Sequence, residues 1–153
     1  MSAPLKVLCV IAGGQPFALD VAVVQGIERP ARWARLPWAP DFVRGVCEFG
    51  GEVVPVVDLA RRLRLVPGPQ RPTEGVVLLD SVEPVGLAVE GIEGVSDLDV
   101  EAGVDLGPTG LAAGARGLGP CGRVLLESEP LVDGRPLTPL LEVLGDAWKG
   151  AKR

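Results

Sequence analysis

The stretch RGVCEFGGEVVPVVDLARRL, residues 44–63, decides the fold because it holds two strands, the turn between them and the start of a helix. Residues 46–49 and 53–57 are segments of strand length, and the second is a nearly continuous apolar run rich in valine. Between them, Gly50 and Gly51 suit a two-residue turn that needs positive φ at both positions. The stretch therefore predicts a β-hairpin.

The second strand of this hairpin carries signals about its surroundings. Its nearly continuous apolar run predicts burial on both faces. Pro55 cannot donate a ladder hydrogen bond, which indicates a strand edge, a bulge or a barrel corner. Asp58 then predicts a helix N-cap, and Leu59 and Leu63 share one face of the helix that follows. The nearby arginines at 61, 62 and 64 are interpreted as a solvated face of that helix.

The composition favours a small all-β protein. The chain has 153 residues, enough for one domain or two small lobes. Hydrophobic residues make up 47% but aromatic residues only 4%, so valine, leucine, alanine and isoleucine must build the core. With 21 glycines and 15 prolines dividing the chain into short strands, a barrel or sandwich is expected.

The same composition excludes several function classes. A net charge of −5 with no basic stripe argues against nucleic acid. The absence of histidine removes histidine-based acid–base and nucleophile chemistry. Three widely spaced cysteines indicate neither a zinc site nor a redox pair, and they fit a reducing cytosol. No stretch is long enough for a membrane span. We therefore expect a cytoplasmic, non-enzymatic protein with no cofactor, no metal and no membrane insertion.

Further strands are predicted on both sides of the central hairpin. Residues 17–22 alternate in polarity, which suggests a half-buried strand. The loop at 29–40 is rich in proline, and its two tryptophans suggest that it packs down or meets a partner. Glycine and proline predict a linker at 64–75 and a long loop at 105–122. The remaining predicted strands are residues 5–11, 23–28, 76–79 and 85–89.

An internal repeat predicts two similar lobes. Residues 15–19 (QPFAL) align with 83–87 (EPVGL), and the valines and isoleucine at 21, 24 and 27 align with those at 89, 92 and 95. The central stretch has two possible echoes. One pairs residues 55–58 with 139–142 and is preferred; the other pairs Arg44-Gly45 with Arg116-Gly117. The repeat predicts lobes at about 15–75 and 76–149 within one domain, 5–149, and leaves open whether the N-terminal strand crosses between them.

Three separated motifs carry a family resemblance. The pattern F-V-x-G-V-x-x-x-G-x-V-V-P-V-V-D-L, residues 42–59, resembles the signature of the CheW-like chemotaxis coupling proteins. The resemblance extends to FALDVAVVQGIE at 17–28 and VGLAVEGIEGVSD at 85–97. It implies an all-β fold of two five-stranded SH3-like β-barrel lobes packed side by side, with short helical turns.

The resemblance also implies partners. Members of this family grip the cytoplasmic tip of a methyl-accepting chemoreceptor, a helical hairpin, in the groove between the lobes. They also meet the regulatory domain of a CheA-type histidine kinase at the barrel ends. By matching position, the partner-binding residues implied here are Val24, Gly26, Ile27, Gly45, Glu48, Phe49, Gly50 and Gly51.

Two positions depart from the family pattern. Coupling proteins typically carry an acid at the position of Gly26 and an arginine at that of Gly50, and both are tied there to receptor engagement. Their loss leaves an alternative open, a divergent scaffold that binds only one of these partners or a different protein. An alternative of another class is a small enzyme that uses Cys47 or Cys121 as a nucleophile.

Overall fold

The computed structural model describes residues 4–30, 32–65, 73–80, 83–99, 103–105, 114–119, 123–133 and 137. Three helical segments occur in them, a 3-10 turn at Val21–Val23, α1 at Leu59–Arg62 and α2 at Ser128–Val132. The strands are β1 Leu5–Ala12, β2 Gln15–Asp20, β3 Val24–Glu28, β4 Trp33–Ala34, β5 Val43–Phe49, β6 Glu52–Asp58, β7 Gly75–Leu79, β8 Val85–Val89, β9 Gly91–Leu98, β10 Val104–Asp105, β11 Ala115–Leu118 and β12 Val124–Leu126.

The central stretch folds as its sequence predicts. Strands β5 and β6 pair in antiparallel register, and Gly50 and Gly51 connect them with φ of 58° and 85°. Pro55 pairs with β5 only, because pairing with β8 begins at the next residue, Val56. The Asp58 side chain accepts a hydrogen bond from the Arg61 backbone N–H at 3.2 Å, which caps α1.

The two sheets are built from exchanged parts of the chain. One sheet has the order β10-β11-β12-β2-β1-β9 and the other the order β4-β5-β6-β8-β7-β3. If β1–β6 and β7–β12 are taken as two copies of one unit, the two orders correspond strand for strand. Each sheet takes its β1–β2 or β7–β8 hairpin from one copy and its other four strands from the other copy. Each sheet forms one β-barrel lobe, with five strands and one additional two-residue strand, β4 or β10.

This exchange differs from the predicted lobe boundary near residue 75. Strands β7 and β8 lie in the same sheet as β3–β6, while β1 and β2 lie in the sheet of β9–β12. The N-terminal hairpin therefore crosses to the second half of the chain, and the β7–β8 hairpin crosses to the first half. Residues 138–149 of the predicted domain lie outside the described residues.

The repeat also has a different register from the preferred one. Arg44 is the extra residue of a bulge in β5, and Arg116 is the extra residue of a bulge in β11. Strand β12 pairs in parallel with β2, as β6 pairs in parallel with β8. The pairing of Arg44-Gly45 with Arg116-Gly117 is therefore correct, and the alignment of residues 55–58 with 139–142 is wrong.

Successive buried residues of a strand face different cores, and the described residues form three of them. In β1, Leu8 and Val10 face a large central core between the two sheets, whereas Val7 and Cys9 face a smaller core inside their own lobe. The other lobe has its own inner core. The central core contains side chains from both sheets, including Leu8, Val10, Phe17, Leu19, Val57, Val77, Leu79, Leu87, Val89, Val124 and Leu126. Its burial stabilises the contact between the lobes.

Some local predictions hold only in part. In β6, Val56 and Val57 are buried, but Val53 is 70% exposed because the start of this strand has one neighbour instead of two. In β2, Ala18 is buried together with Phe17 and Leu19, so the predicted alternation fails. The predicted loop at 105–122 contains β11. Its residues 106–113 and 120–122, like residues 66–72 of the predicted linker, lie outside the described part of the chain.

Arg62 contradicts the interpretation of the arginines as a solvated face. It is 4% exposed and lies on the same side of α1 as Leu59 and Leu63. Its guanidinium donates hydrogen bonds of 2.8 Å to the backbone carbonyls of Leu131 and Pro130 in α2, and it stacks on the Phe42 ring at 4.4 Å. The side chain therefore ties the helix of one half of the chain to the helix of the other.

Replacing Arg62 with methionine tests whether this side chain stabilises the contact between α1 and α2. The variant leaves two buried carbonyls without their donor, so we expect Arg62→Met to lower the free energy of unfolding by about 3 kcal/mol. Urea unfolding followed by circular dichroism measures the change. Arg64→Met is the matched control, because Arg64 is exposed and its replacement should change stability by less than about 0.5 kcal/mol. Equal stability of the two variants would contradict the structural role of Arg62.

Candidate partner-binding surfaces

The edge strand β3 presents apolar side chains beside the central core. Val24 pairs with Leu79 and Ile27 pairs with Val77 across the β3–β7 ladder. Paired residues project to the same face of a sheet, and both partners on β7 belong to the central core. Val24 and Ile27 therefore lie on the face that looks toward the other lobe.

The edge strand β9 does the same from the opposite lobe. Ile92 pairs with Val10 and Val95 pairs with Leu8 across the β1–β9 ladder, and both β1 residues belong to the central core. The two edges meet at Gly75, where a Cβ atom would lie 3.0 Å from Ile92 Cδ1 and 3.6 Å from Ile27 Cγ2. We call this surface the lobe groove and define it by Val24, Ile27, Ile92 and Val95.

The lobe groove combines a buried floor with exposed sides. Val24 and Ile92 are half-buried and pack against the central core. Ile27 is 44% exposed and Val95 is 63% exposed. Apolar side chains that stay exposed next to a rigid core are typical of protein-interaction sites.

A second surface lies at the tip of the β5–β6 hairpin. Glu48 and Val53 face each other across the two strands, and both are exposed. Phe49 is half-buried against the inner core of its lobe. Space is open around Gly50 and Gly51, where an added Cβ would meet nothing within 4 Å. We call these five residues the hairpin surface.

The family comparison identifies the fold type. The family described as the CheW-like domain matches residues 6–122. The chain belongs to this family.

Similar proteins support the assignment. The chemotaxis protein CheW of Rhizobium meliloti is 30% identical over 112 residues, which are 69% of this chain and 71% of that protein. The chemotaxis protein CheW of Klebsiella aerogenes is 28% identical over 90 residues, 58% of this chain and 54% of that protein. The chemotaxis protein CheW of Bacillus subtilis is 33% identical over 60 residues, 39% of this chain and 38% of that protein. The match thus spans less than two thirds of the length of the last two relatives.

A solved structure has the same fold. The crystal structure of the scaffolding protein TtCheW from Thermoanaerobacter tengcongensis superposes with a TM-score of 0.73. The likeness covers 88% of this chain and 97% of that one at 18% identity, so it concerns the fold alone.

The partner-binding residues implied by the sequence fall into two groups and one exception. Val24, Gly26 and Ile27 all lie on β3, where Val24 and Ile27 face the lobe groove and Gly26, paired with Leu78, is on the opposite face of the sheet. Residues 48–51 lie at the hairpin surface, and β7, β8 and β6 stand between the groups in the sheet order. The exception is Gly45, which belongs to neither surface.

Gly45 has a packing role. Its φ is 146°, and an added Cβ would lie 2.4 Å from the backbone oxygen of Ala34. The short strand β4 can approach β5 closely only because this position has no side chain. Gly26 differs, since its φ is not in the left-handed region and nothing lies within 4 Å of the Cβ position.

In segment 29–44, only the two tryptophans were predicted from the sequence as possible contact residues. The basic and other aromatic residues of the segment were not. Trp33 is 36% exposed and lies under the Arg44 guanidinium, whose carbon is 4.8 Å from the centre of the ring. Trp38 is 99% exposed and has a φ of 60°. The expectation that this loop packs down holds for Trp33, which pairs with Cys47 in the β4–β5 ladder, and fails for Trp38. Arginines interleaved with tryptophan are the sequence feature that could have indicated an exposed contact surface in this loop.

Of the two candidate nucleophiles, Cys47 is described by the structure and Cys121 lies outside the described residues. Burial raises the pKa of the Cys47 thiol to about 11, and the nearby Arg44 guanidinium offsets this only in part. A thiol in this state is a poor nucleophile. Within the same residues, no group of three potential ligands could hold a metal ion. No helix of the described chain is long and apolar enough to cross a membrane.

A pair of glycine substitutions tests the packing role of Gly45. Gly45→Ala forces a methyl group against a backbone oxygen at a positive φ, so we expect a loss of about 2–4 kcal/mol in the free energy of unfolding. Gly26→Ala, in open space on a strand, should raise stability by up to about 1 kcal/mol. Urea unfolding compares the two. Equal effects would show that the approach of Ala34 to Gly45 does not constrain the fold.

The raised pKa of Cys47 predicts an unreactive thiol. At pH 8 a thiol with a pKa near 11 is thiolate in about one molecule in a thousand, so reaction with a disulfide reagent should be slow until the protein unfolds. Labelling that occurs in the wild type and is absent from Cys47→Ala is assigned to Cys47. Because the folded pKa lies above the ordinary value of 9.0, Cys47 does not change the pH dependence of stability below pH 9.0, and the free energy of unfolding falls as the pH rises from 9.0 toward 11. Fast labelling of Cys47 in the folded protein at pH 8 would contradict this.

Proposed function

We propose that this CheW-like domain is a non-enzymatic adaptor that couples the cytoplasmic hairpin of a methyl-accepting chemoreceptor to the regulatory domain of a CheA-type histidine kinase. The observation that carries the proposal is the lobe groove, with Ile27 and Val95 exposed on its two sides. The relatives named as chemotaxis proteins set the signalling context. Both proposed partners are cytoplasmic, so the adaptor works in the cytoplasm.

The lobe groove suits a helical partner. Its apolar residues come from two edge strands, whose isoleucines approach each other beside Gly75. An amphipathic helix binds such a groove through apolar side chains spaced three and four residues apart. A helical hairpin offers two adjacent helices, one for each side of the groove. The receptor tip is therefore the proposed occupant.

The hairpin surface is the proposed kinase contact. Val53 is 70% exposed, and among the described strands β6 pairs on its second side only from Val56 onward. Such an exposed strand end is suited to contact with another β-barrel. The family resemblance implies a kinase regulatory domain that is itself built from two related barrels.

The coupling mechanism is geometric. Exchanged hairpins and the central core join the lobes, so the groove and the hairpin surface belong to one packed body. A rigid body of this kind fixes the distance between receptor and kinase. A small displacement of the receptor hairpin then moves the kinase domain and biases its activity.

The alternative is a divergent scaffold that binds one of these partners or another protein. It is favoured by Gly26 and Gly50, which offer no polar side chain to a receptor. Both positions have open space for a side chain, although Gly50 has a positive φ of 58° that a non-glycine residue adopts at a cost. Under this alternative, the double variant Gly26→Glu with Gly50→Arg would create receptor binding that the wild type lacks.

Two matched substitutions separate the surfaces. Val95→Asp places a charge in the lobe groove, and Val53→Asp places the same charge on the hairpin surface, at positions of similar exposure. We expect Val95→Asp to weaken receptor binding by about thirtyfold and leave kinase binding unchanged, and Val53→Asp to do the reverse. Calorimetric titration with a receptor hairpin and a kinase regulatory domain from the same organism measures both affinities.

The outcomes of this titration differ clearly. Binding of the wild type to both partners, with the crossed effects of the two variants, supports the coupling function. Binding to the kinase alone supports the divergent scaffold. If both variants lose both partners equally, or neither variant has an effect, the assignment of the two surfaces is wrong.

A further inference from the structure

The two sides of the lobe groove are corresponding parts of the repeat. On β9, Val95 pairs with Leu8 of β1, and on β3, Ile27 pairs with Val77 of β7. Each of these ladders also has a bulge between the two groove residues of its edge strand. Because the two halves of the chain exchange hairpins with each other, an approximate two-fold axis relates the two sides of the groove.

A helical hairpin has a similar symmetry. Its two helices lie side by side in opposite directions, and half a turn about an axis between them exchanges their places. When this axis coincides with that of the groove, one helix lies on β3 and the other on β9. Apolar contacts alone therefore allow two orientations, with the turn of the hairpin at one end of the groove or at the other.

One end of the groove is apolar. Ile27 and Ile92 lie there beside Gly75, where an added Cβ would be 3.6 Å from Ile27 Cγ2 and 3.0 Å from Ile92 Cδ1. The two isoleucines therefore fill the space that a side chain on residue 75 would need.

The ion pair near this end lies on the other face of the sheets. Arg29 Nη2 is 3.6 Å from Glu74 Oε1. Glu74 directly precedes Gly75, so its side chain projects to the opposite face. Its Oε2 lies 3.4 Å from the Cβ position of Gly91, which directly precedes Ile92 and also faces away from the groove. This ion pair therefore adds no charge to the groove.

The other end of the groove carries an ion pair of its own. Lys6 lies two residues before Leu8 on β1, as Gly75 lies two residues before Val77 on β7, so Lys6 and Gly75 correspond. Alternation places Lys6 on the same face as Leu8, toward the groove. Lys6 Nζ lies 3.3 Å from Asp97 Oδ1, and these side chains are 72% and 55% exposed. The groove thus has one apolar end and one charged end.

The turn of a helical hairpin matches the charged end. The last carbonyls of its first helix and the first N–H groups of its second helix have no partners within those helices. The Lys6 ammonium has further N–H donors for such carbonyls, and the Asp97 carboxylate has further acceptor sites for such N–H groups. Both contacts have the sign that the helix dipoles favour.

We propose that Lys6 and Asp97 orient the helical hairpin in the lobe groove, so that its turn lies at their end and the rest of its two helices, the shaft, crosses Gly75. Because Asp97 lies on β9, the second helix of the hairpin lies on β9 and the first on β3. The inference rests on the proposed function and assigns a direction to the proposed occupant. Lys6 and Asp97 are positioning residues, since the apolar side chains provide most of the contact.

Spin labels on the receptor hairpin test the orientation. One label is placed at the turn and another on the shaft, about ten residues or 15 Å from the turn. The methyl signals of Ile27 and Ile92 report on the end of the groove at Gly75. In the wild type, the shaft label should broaden both signals more strongly than the turn label does. Stronger broadening by the turn label would contradict the proposal.

Two double variants test the residues themselves. Lys6→Met with Asp97→Leu replaces the ion pair by apolar side chains, whereas Lys6→Arg with Asp97→Glu retains it. The apolar variant should bind the hairpin in both orientations, so the two labels should broaden the isoleucine signals alike. Its affinity should fall by no more than about threefold, because the lost contacts are exposed. The variant that retains the charges should keep the wild-type pattern of broadening.

The results distinguish this inference from the proposed function. If the wild type does not bind the hairpin, both fall. If the wild type binds and the apolar variant keeps the wild-type pattern, or the variant that retains the charges loses it, the orientation by Lys6 and Asp97 alone is overturned. A pattern that is lost only with the charges, while binding persists, supports the inference and cannot result from misfolding.

Discussion

The structure depends on one constraint, the exchange of β-hairpins between two copies of the same unit. Each lobe is completed by a hairpin from the other half of the chain, so neither half contains all the strands of a lobe. The exchange brings both faces of β1, β2, β7 and β8 into contact with other parts of the protein. This explains the nearly continuous apolar runs of these strands and the large core between the sheets.

The proposed functional surfaces follow from this exchange. The chain crosses between the sheets after β2 and after β8, and it then forms the edge strands β3 and β9. Their outer residues remain partly uncovered beside the central core, and they form the lobe groove. Arg62 adds a tie between the two helices. A groove between parts held in this way can resist deformation when a partner binds, as a coupling protein requires.

Local chemistry allowed much of the fold to be predicted, and long-range packing explains the errors. The turn at Gly50 and Gly51 and the cap at Asp58 depend on neighbouring residues and are visible in the sequence. The exchange of hairpins is not visible in the sequence. Two similar copies give the same local pattern whichever hairpin completes each sheet. The spacing of Arg62, three residues after Leu59, did place it on the buried face, but its carbonyl partners are 68 and 69 residues away. The resemblance pointed to Val24 and Ile27 on β3 and the repeat aligned them with Ile92 and Val95, but the approach of β3 and β9 from different sheets required the structure.

Methyl NMR of the isoleucine side chains shows whether a receptor hairpin occupies the lobe groove. The chain has three isoleucines, of which Ile27 and Ile92 meet at the lobe groove, while Ile11 alternates with Val10 on β1 and projects from the opposite face of the sheet. Addition of an unlabelled receptor hairpin should shift or broaden the signals of Ile27 and Ile92 and leave that of Ile11 nearly unchanged. Saturable binding of the hairpin with no change at Ile27 and Ile92 would contradict the account.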